Sequence, residues 1–222
     1  GNRAVKAGGG LLLEGSVCTI VDLQDVVLTN NNVSTALGGG VALRAFDASV
    51  ATATIPCSWQ MPQVTISRGI IADNVASAGG GIFVSGVPSV GLRVCGPDWL
   101  TDDASTFSMN GTTLSRNVAM DDSETCETAF PGRGGGLLVF GLARLELTSL
   151  VFEENSATTG GGASVIGVYD GSPHSVGAEL TLSSSVFRRN KADFAGGALS
   201  CAGGASVALL GGSAVVNNSA VR

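Results

Sequence analysis

Apolar and polar residues alternate along much of the chain, as in Leu145-Glu146-Leu147-Thr148 and Leu180-Thr181-Leu182-Ser183. A period of two belongs to a strand with one buried face. No segment keeps an apolar period of 3.6 residues, which disfavours helical repeats. The alternating runs are punctuated by six glycine clusters: Gly8-Gly9-Gly10, Gly38-Gly39-Gly40, Gly79-Gly80-Gly81, Gly134-Gly135-Gly136, Gly160-Gly161-Gly162 and the doublet Gly196-Gly197. Each cluster is followed by Leu, Val, Ile or Ala.

An asparagine precedes each cluster, at Asn2, Asn31, Asn74, Asn117, Asn155 and Asn190, and a seventh, Asn218, stands near the end. Three residues before the asparagine comes an apolar side chain: Leu28, Ile71, Leu114, Phe152, Phe187 or Val215. Two residues after it an alanine is common, as at Ala76, Ala119, Ala157 and Ala192. The unit therefore reads [F/I/L/V]xxNxA, a short turn, GGG and an apolar residue, then one or two strands. Successive asparagines are 29, 43, 43, 38, 35 and 28 residues apart.

Short strands, tight turns and a shortest period near 28 residues describe coils of a β-solenoid stacked about 4.8 Å apart. Stacking places equivalent residues above one another, so one inward asparagine per coil is expected to form an amide ladder. Phe152 and Phe187 are expected to stack in the core. The expected fold is all-β, a right-handed parallel β-helix of about six to seven coils with lateral loop insertions.

These residues resemble the repeats of chlamydial polymorphic outer-membrane proteins, within the pectin-lyase-like right-handed β-helices. The resemblance rests on Gly79-Gly80-Gly81-Ile82, Gly134-Gly135-Gly136-Leu137, Gly196-Gly197-Ala198-Leu199, Phe152-Glu153-Glu154-Asn155 and Phe187-Arg188-Arg189-Asn190, which match GGA[I/L/V] and FxxN tetrapeptides. It spans essentially the whole chain. Leu, Ile or Val replaces Phe in four units, and Gly often replaces the Ala of GGA.

Composition agrees with a repeat of tight turns. Of 222 residues 33 are glycine, and seventeen of those lie in the six clusters. Only 14% are charged and the net charge is −6, which excludes a basic nucleic-acid face. No apolar run reaches the roughly 20 residues that span a bilayer, and residues 1–10 contain no secretory signal. The chain begins and ends at ladder asparagines and is expected to be a single segment, 1–222, of a longer solenoid.

Insertions lengthen the coils near 46–62, 86–109, 119–133 and 167–176. Solenoid insertions leave from one face, often the binding face. They carry Trp59, Trp99 and Tyr169, the expected interaction face, and the single histidine, His174. Cys57 and Cys95 occupy the same turn of adjacent coils and are the first expected disulfide, with Cys95–Cys126 the alternative. Cys18 and Cys201 lie on coil strands and are expected to be buried. Sequons place N-glycosylation candidates at Asn32, Asn110 and Asn217; Asn32 and Asn217, next to ladder residues, are expected to face outward, and Asn110 lies at the end of the third-coil insertion.

Candidate catalytic groups are sparse. Asp102-Asp103 and Asp121-Asp122 read as solvated loop acids, and Glu153-Glu154 with Arg188-Arg189 one coil later read as cross-coil charge pairs. No His/Cys spacing suggests a metal, no glycine cluster has the form of a phosphate loop, and no cofactor is expected. The function expected is a non-catalytic structural and adhesive segment of a large secreted or cell-surface protein. Its partners would be other subunits, further copies of itself or glycans, without nucleic acid and without membrane insertion by this segment. A polysaccharide-binding or polysaccharide-degrading β-helix is the alternative.

Overall fold

The computed structural model describes residues 2–4, 7–15, 20–45, 63–86, 107–121, 131–141, 143–167 and 177–221. Every strand pairing among them is parallel, and the strands form four sheets of seven, six, six and six strands. The chain visits the sheets in rotation. One coil runs through Val118–Ala119 in sheet 1, Leu137–Phe140 in sheet 2, Arg144–Thr148 in sheet 3 and Val151–Glu153 in sheet 4. The next coil repeats the order one strand further along each sheet. This is a right-handed parallel β-helix, the hand that parallel crossovers take in nearly all cases.

Each coil thus has four strands, more than the one or two that the alternation indicates. The strands of sheet 4 have three residues each, and some of sheet 1 have two. Segments that short carry no readable period. The [F/I/L/V]xxNxA motif straddles them, with its apolar residue in sheet 4, its asparagine in the turn and its alanine in sheet 1.

The core is a set of columns running along the stack. In sheet 3 Val64, Phe107, Leu145 and Leu180 lie in register, and so do Ile66, Met109, Leu147 and Leu182. In sheet 4 Ile71, Leu114, Phe152 and Phe187 follow one another. The rings of Phe152 and Phe187 stack with centroids 4.3 Å apart and planes inclined by 1°. Burying each such side chain contributes about 1.5–3 kcal/mol.

The glycine triplet sets how closely sheets 1 and 2 approach. Gly79 has φ +61°, where L side chains are strained. A Cβ on Gly80 would lie 2.5 Å from the Val118 carbonyl carbon, and one on Gly81 would lie 2.5 Å from the Gly136 carbonyl oxygen. The six clusters therefore mark where backbone packs on backbone. Ala198 takes the third place in the last cluster, whose sheet-2 strand is the last of its sheet.

The structure corrects several expectations. Phe107–Asn110 is a sheet-3 strand paired with Gln63–Ser67, so the end of the expected 86–109 insertion belongs to the coil. Ala119 is a buried sheet-1 residue, and Arg133 bridges to Ala78 and Thr159, which shortens the 119–133 insertion at both ends. Cys201, expected to be buried, is exposed. It holds the register position of core residue Val165, but sheet 2 ends at Leu199–Ala202, and its thiol donates to the Ala205 carbonyl at 3.0 Å.

Two glycine substitutions separate crowding from backbone strain. Gly80→Ala is expected to cost about 1–3 kcal/mol or more, because its neighbour is backbone and cannot rotate away. Gly111→Ala, with φ +61° and nothing nearer than Arg68 Cγ at 3.8 Å, is expected to cost only the left-handed strain of about 1–2 kcal/mol. Urea unfolding of both variants measures the difference.

Candidate functional site: the stacked turns

The turn from sheet 4 to sheet 1 is the most regular feature of the rod. Asn31, Asn74, Asn117, Asn155 and Asn190 are buried there, stacked coil on coil. Each side-chain amide donates to the Oδ1 of the next asparagine: Asn2 to Asn31 at 3.1 Å, Asn31 to Asn74 at 2.9 Å, Asn74 to Asn117 at 2.9 Å, Asn117 to Asn155 at 3.0 Å, Asn155 to Asn190 at 3.0 Å and Asn190 to Asn218 at 2.8 Å. The same Oδ1 accepts the backbone N–H of the preceding asparagine, as from Asn74 to Asn117 at 3.1 Å. The second amide hydrogen goes to a sheet-4 carbonyl of the previous coil, as from Asn117 to Ile71 at 2.8 Å. No other side chain of this size offers two donors and a twice-used acceptor so close to its own backbone.

The residue before each ladder asparagine from Asn31 onward is left-handed: Asn30, Asp73, Arg116, Glu154, Arg189 and Asn217 have φ between 51° and 57°. Five residues earlier, at the turn from sheet 3 to sheet 4, stand Asp25, Arg68, Gly111, Ser149, Ser184 and Gly212, also left-handed. None of these twelve is β-branched, a signal that the sequence carries without any constant letter. A hydroxyl ladder lies just inside this second turn. Gly69 N–H donates to Thr112 Oγ1 at 3.3 Å, Leu150 N–H to Ser185 Oγ at 3.1 Å and Ser185 N–H to Ser213 Oγ at 3.1 Å. Sequence reasoning missed it, because the position reads Val26, Gly69, Thr112, Leu150, Ser185 and Ser213 along the coils.

The left-handed side chains point outward and pair along the stack. Arg68 makes two bonds to Asp25, at 2.7 and 2.8 Å, and Arg116 makes two to Asp73, also at 2.7 and 2.8 Å. Arg188 bonds Glu153 at 2.8 Å, and Arg189 bonds Glu154 at 2.9 Å and also contacts Glu153. Glu153-Glu154 and Arg188-Arg189 are thus cross-coil charge pairs. Hydrogen bonding from Arg68, Arg116 and Arg188 holds Asp25, Asp73 and Glu153 below the usual carboxylate range. These carboxylates are committed to arginine.

Asn32, Asn110 and Asn217 are all exposed. The hydroxyl of Thr112, the third residue of the Asn110 sequon, is buried and held by Gly69 and Asn110. Trp59, Trp99, Tyr169, His174, Cys18, Cys57, Cys95, Cys126, Asp102, Asp103 and Asp122 lie outside the described residues, and Asp121 is exposed. Among the described residues no three His, Cys, Asp or Glu side chains cluster as metal ligands. Among the described residues there is no helix long and apolar enough to cross a membrane, a statement that does not bear on β-barrels.

Four parallel sheets joined by stacked turns define a solenoid of the parallel β-helix class. Within it, residues 149–163 match the model of the Chlamydia polymorphic membrane protein repeat. The matched stretch starts at left-handed Ser149, passes through Phe152-Glu153-Glu154-Asn155 and the glycine triplet, and ends on the first residue of a sheet-2 strand. No curated protein sequence and no solved structure gives a significant match to the chain.

Two outcomes test these turns. Asn117→Ala removes the acceptor of two Asn74 donors and leaves Ile71 O without its donor, so a loss of about 3 kcal/mol or more in urea unfolding is expected. Asn2→Ala, at the exposed end, should cost under about 1 kcal/mol by the same measure. Because folding lowers the pKa of Asp73 and Glu153, their contribution is complete above the ordinary carboxylate range and fades as pH falls through the lowered values. The urea midpoint should therefore drop on acidification below about pH 4, and Asp73→Asn should flatten that drop.

Proposed function

We propose that the chain is a non-catalytic structural and adhesive segment of a secreted or cell-surface protein, a stiff rod that carries a lateral interaction surface. The carrying observation is the unbroken asparagine ladder, which satisfies the buried turn polar groups of every coil and resists bending at any one of them. The repeat match at residues 149–163 supports the surface location. In this reading Trp59, Trp99 and Tyr169 contact other protein subunits, further copies or glycans. Asn32, Asn110 and Asn217 accept N-linked glycans, and Cys57–Cys95, or else Cys95–Cys126, ties the insertions.

The arginine-bound carboxylates favour scaffold over catalyst, since an acid held below its usual range by a bidentate partner is a poor proton donor. The test is immunogold labelling of intact, non-permeabilised cells with antibody raised against the chain. Surface label removed by external protease is expected, and label seen only after permeabilisation overturns the location. Release of reducing ends from a polysaccharide panel, abolished by Asp102→Ala with Asp103→Ala, would overturn the non-catalytic reading.

A further inference from the structure

Sheet 4 and its two turns keep nearly one length in every coil, the last gaining the single residue Gly211 ahead of the turn. From the left-handed residue after sheet 3 to the one before the asparagine is five residues in all six coils, 25 to 30, 68 to 73, 111 to 116, 149 to 154, 184 to 189 and 212 to 217. The insertions leave from the corners between sheets 1 and 2 and between sheets 2 and 3. Sheet 4 is therefore a smooth strip along the rod. Its outward column is Val27, Ile70, Thr113, Val151, Val186 and Ala214, a ridge β-branched in all but the last, with Val27 62% and Ile70 46% exposed.

The edge of this strip carries the left-handed column, and its charges run Asn30, Asp73, Arg116, Glu154, Arg189, Asn217. In sign this is neutral, minus, plus, minus, plus, neutral. Reversed, the order becomes neutral, plus, minus, plus, minus, neutral, so the column is complementary to itself read backwards. Two sheet-4 faces can meet with these edges together only about a two-fold axis perpendicular to the rod, since a two-fold along the rod would place each charged edge on the other copy's opposite edge. That axis sets Asp73 against Arg189 of the second copy and Arg116 against Glu154 of the second copy, each twice.

The rest of the strip tolerates the same operation. Ile70 faces Val186, Thr113 faces Val151, and Val27 faces Ala214. On the far edge Asp25 meets Gly212 and Arg68 meets Ser184, so no like charges oppose. The four charged side chains of the near edge are 35–54% exposed and keep donors and acceptors for an outside partner.

We propose that the sheet-4 face is a self-recognition surface on which a second copy of this chain docks antiparallel, with the alternating charges fixing orientation and register. This rests on the reading of the chain as a scaffold with copies of itself among its partners, and names the face and the geometry. The strip is about 24 Å long and about 10 Å wide from the strand spacings. Contact between two copies buries well under the roughly 1,200 Å² of a standard stable interface. A single pair is therefore weak and salt-sensitive, and it holds firmly only where many copies share one surface.

Sedimentation velocity of the full chain tests this across concentration, at ionic strengths of about 0.01 M and about 1 M, which change the screening length from about 30 Å to about 3 Å. Wild type is expected to dimerise at low salt with affinity falling at least tenfold at high salt, and Ile70→Asp to reduce it likewise. The variant D73R/R116E/E153R/E154R/R188E/R189E inverts every sign along the near edge and keeps the alternation within the rod. It should self-associate like wild type yet fail to mix with fluorescently labelled wild type. Circular dichroism establishes that each variant is folded. Free mixing of the two, or dimerisation indifferent to salt and to Ile70→Asp, overturns the proposal. A monomer at all concentrations that is still labelled on intact cells removes the docking and leaves the scaffold reading standing.

Discussion

Everything else in the rod depends on satisfying the asparagine amide at the turn between sheets 4 and 1. A closed coil puts a polar turn into the interior once per circuit, and an unpaired buried amide costs about 1–3 kcal/mol. The ladder removes that cost only if coils stack at the strand spacing and in register, since each Oδ1 must meet two donors of the coil before it. Register, coil spacing and the left-handed residue beside each asparagine follow from that demand. A slip by one residue would turn the amide outward and an exposed side chain inward.

Width and charge follow from the same stacking. Where sheets 1 and 2 meet there is room for backbone alone, so glycine recurs in each coil and the cross-section stays nearly constant while insertions come and go. On the outside, stacking brings equivalent residues close enough that like charges repel. Low overall charge is one response to this. Alternation of sign in the column of Asp73, Arg116, Glu154 and Arg189 is the other, and it makes each coil prefer its own neighbours.

Much of this was legible in the residues. Solenoid class, the asparagine column and the glycine clusters show as repeats, because each needs the same residue type at the same place in every coil, and the Glu153-Glu154 to Arg188-Arg189 pairing shows as opposite charges one period apart. The hydroxyl ladder of Thr112, Ser185 and Ser213 did not, since the backbone N–H there is met by a Ser or Thr hydroxyl in some coils and by no side chain in others, which leaves no constant letter. Cys201 was misread because its register is that of a core residue, while burial depends on whether a further strand lies over it.

By itself the sequence determined the coil, its period and its inward ladder, since these rest on short-range spacing and on chemistry that only asparagine and glycine supply. Tertiary structure alone decided the number of sheets per coil, where each insertion begins, and that Arg68 and Arg116 hold Asp25 and Asp73. Those depend on distances between residues about 28 to 43 positions apart, set by how the coils close and not by any local pattern. The sheet-4 strip belongs to this second group: its sign pattern is written in six scattered residues and becomes a surface only when the coils align them.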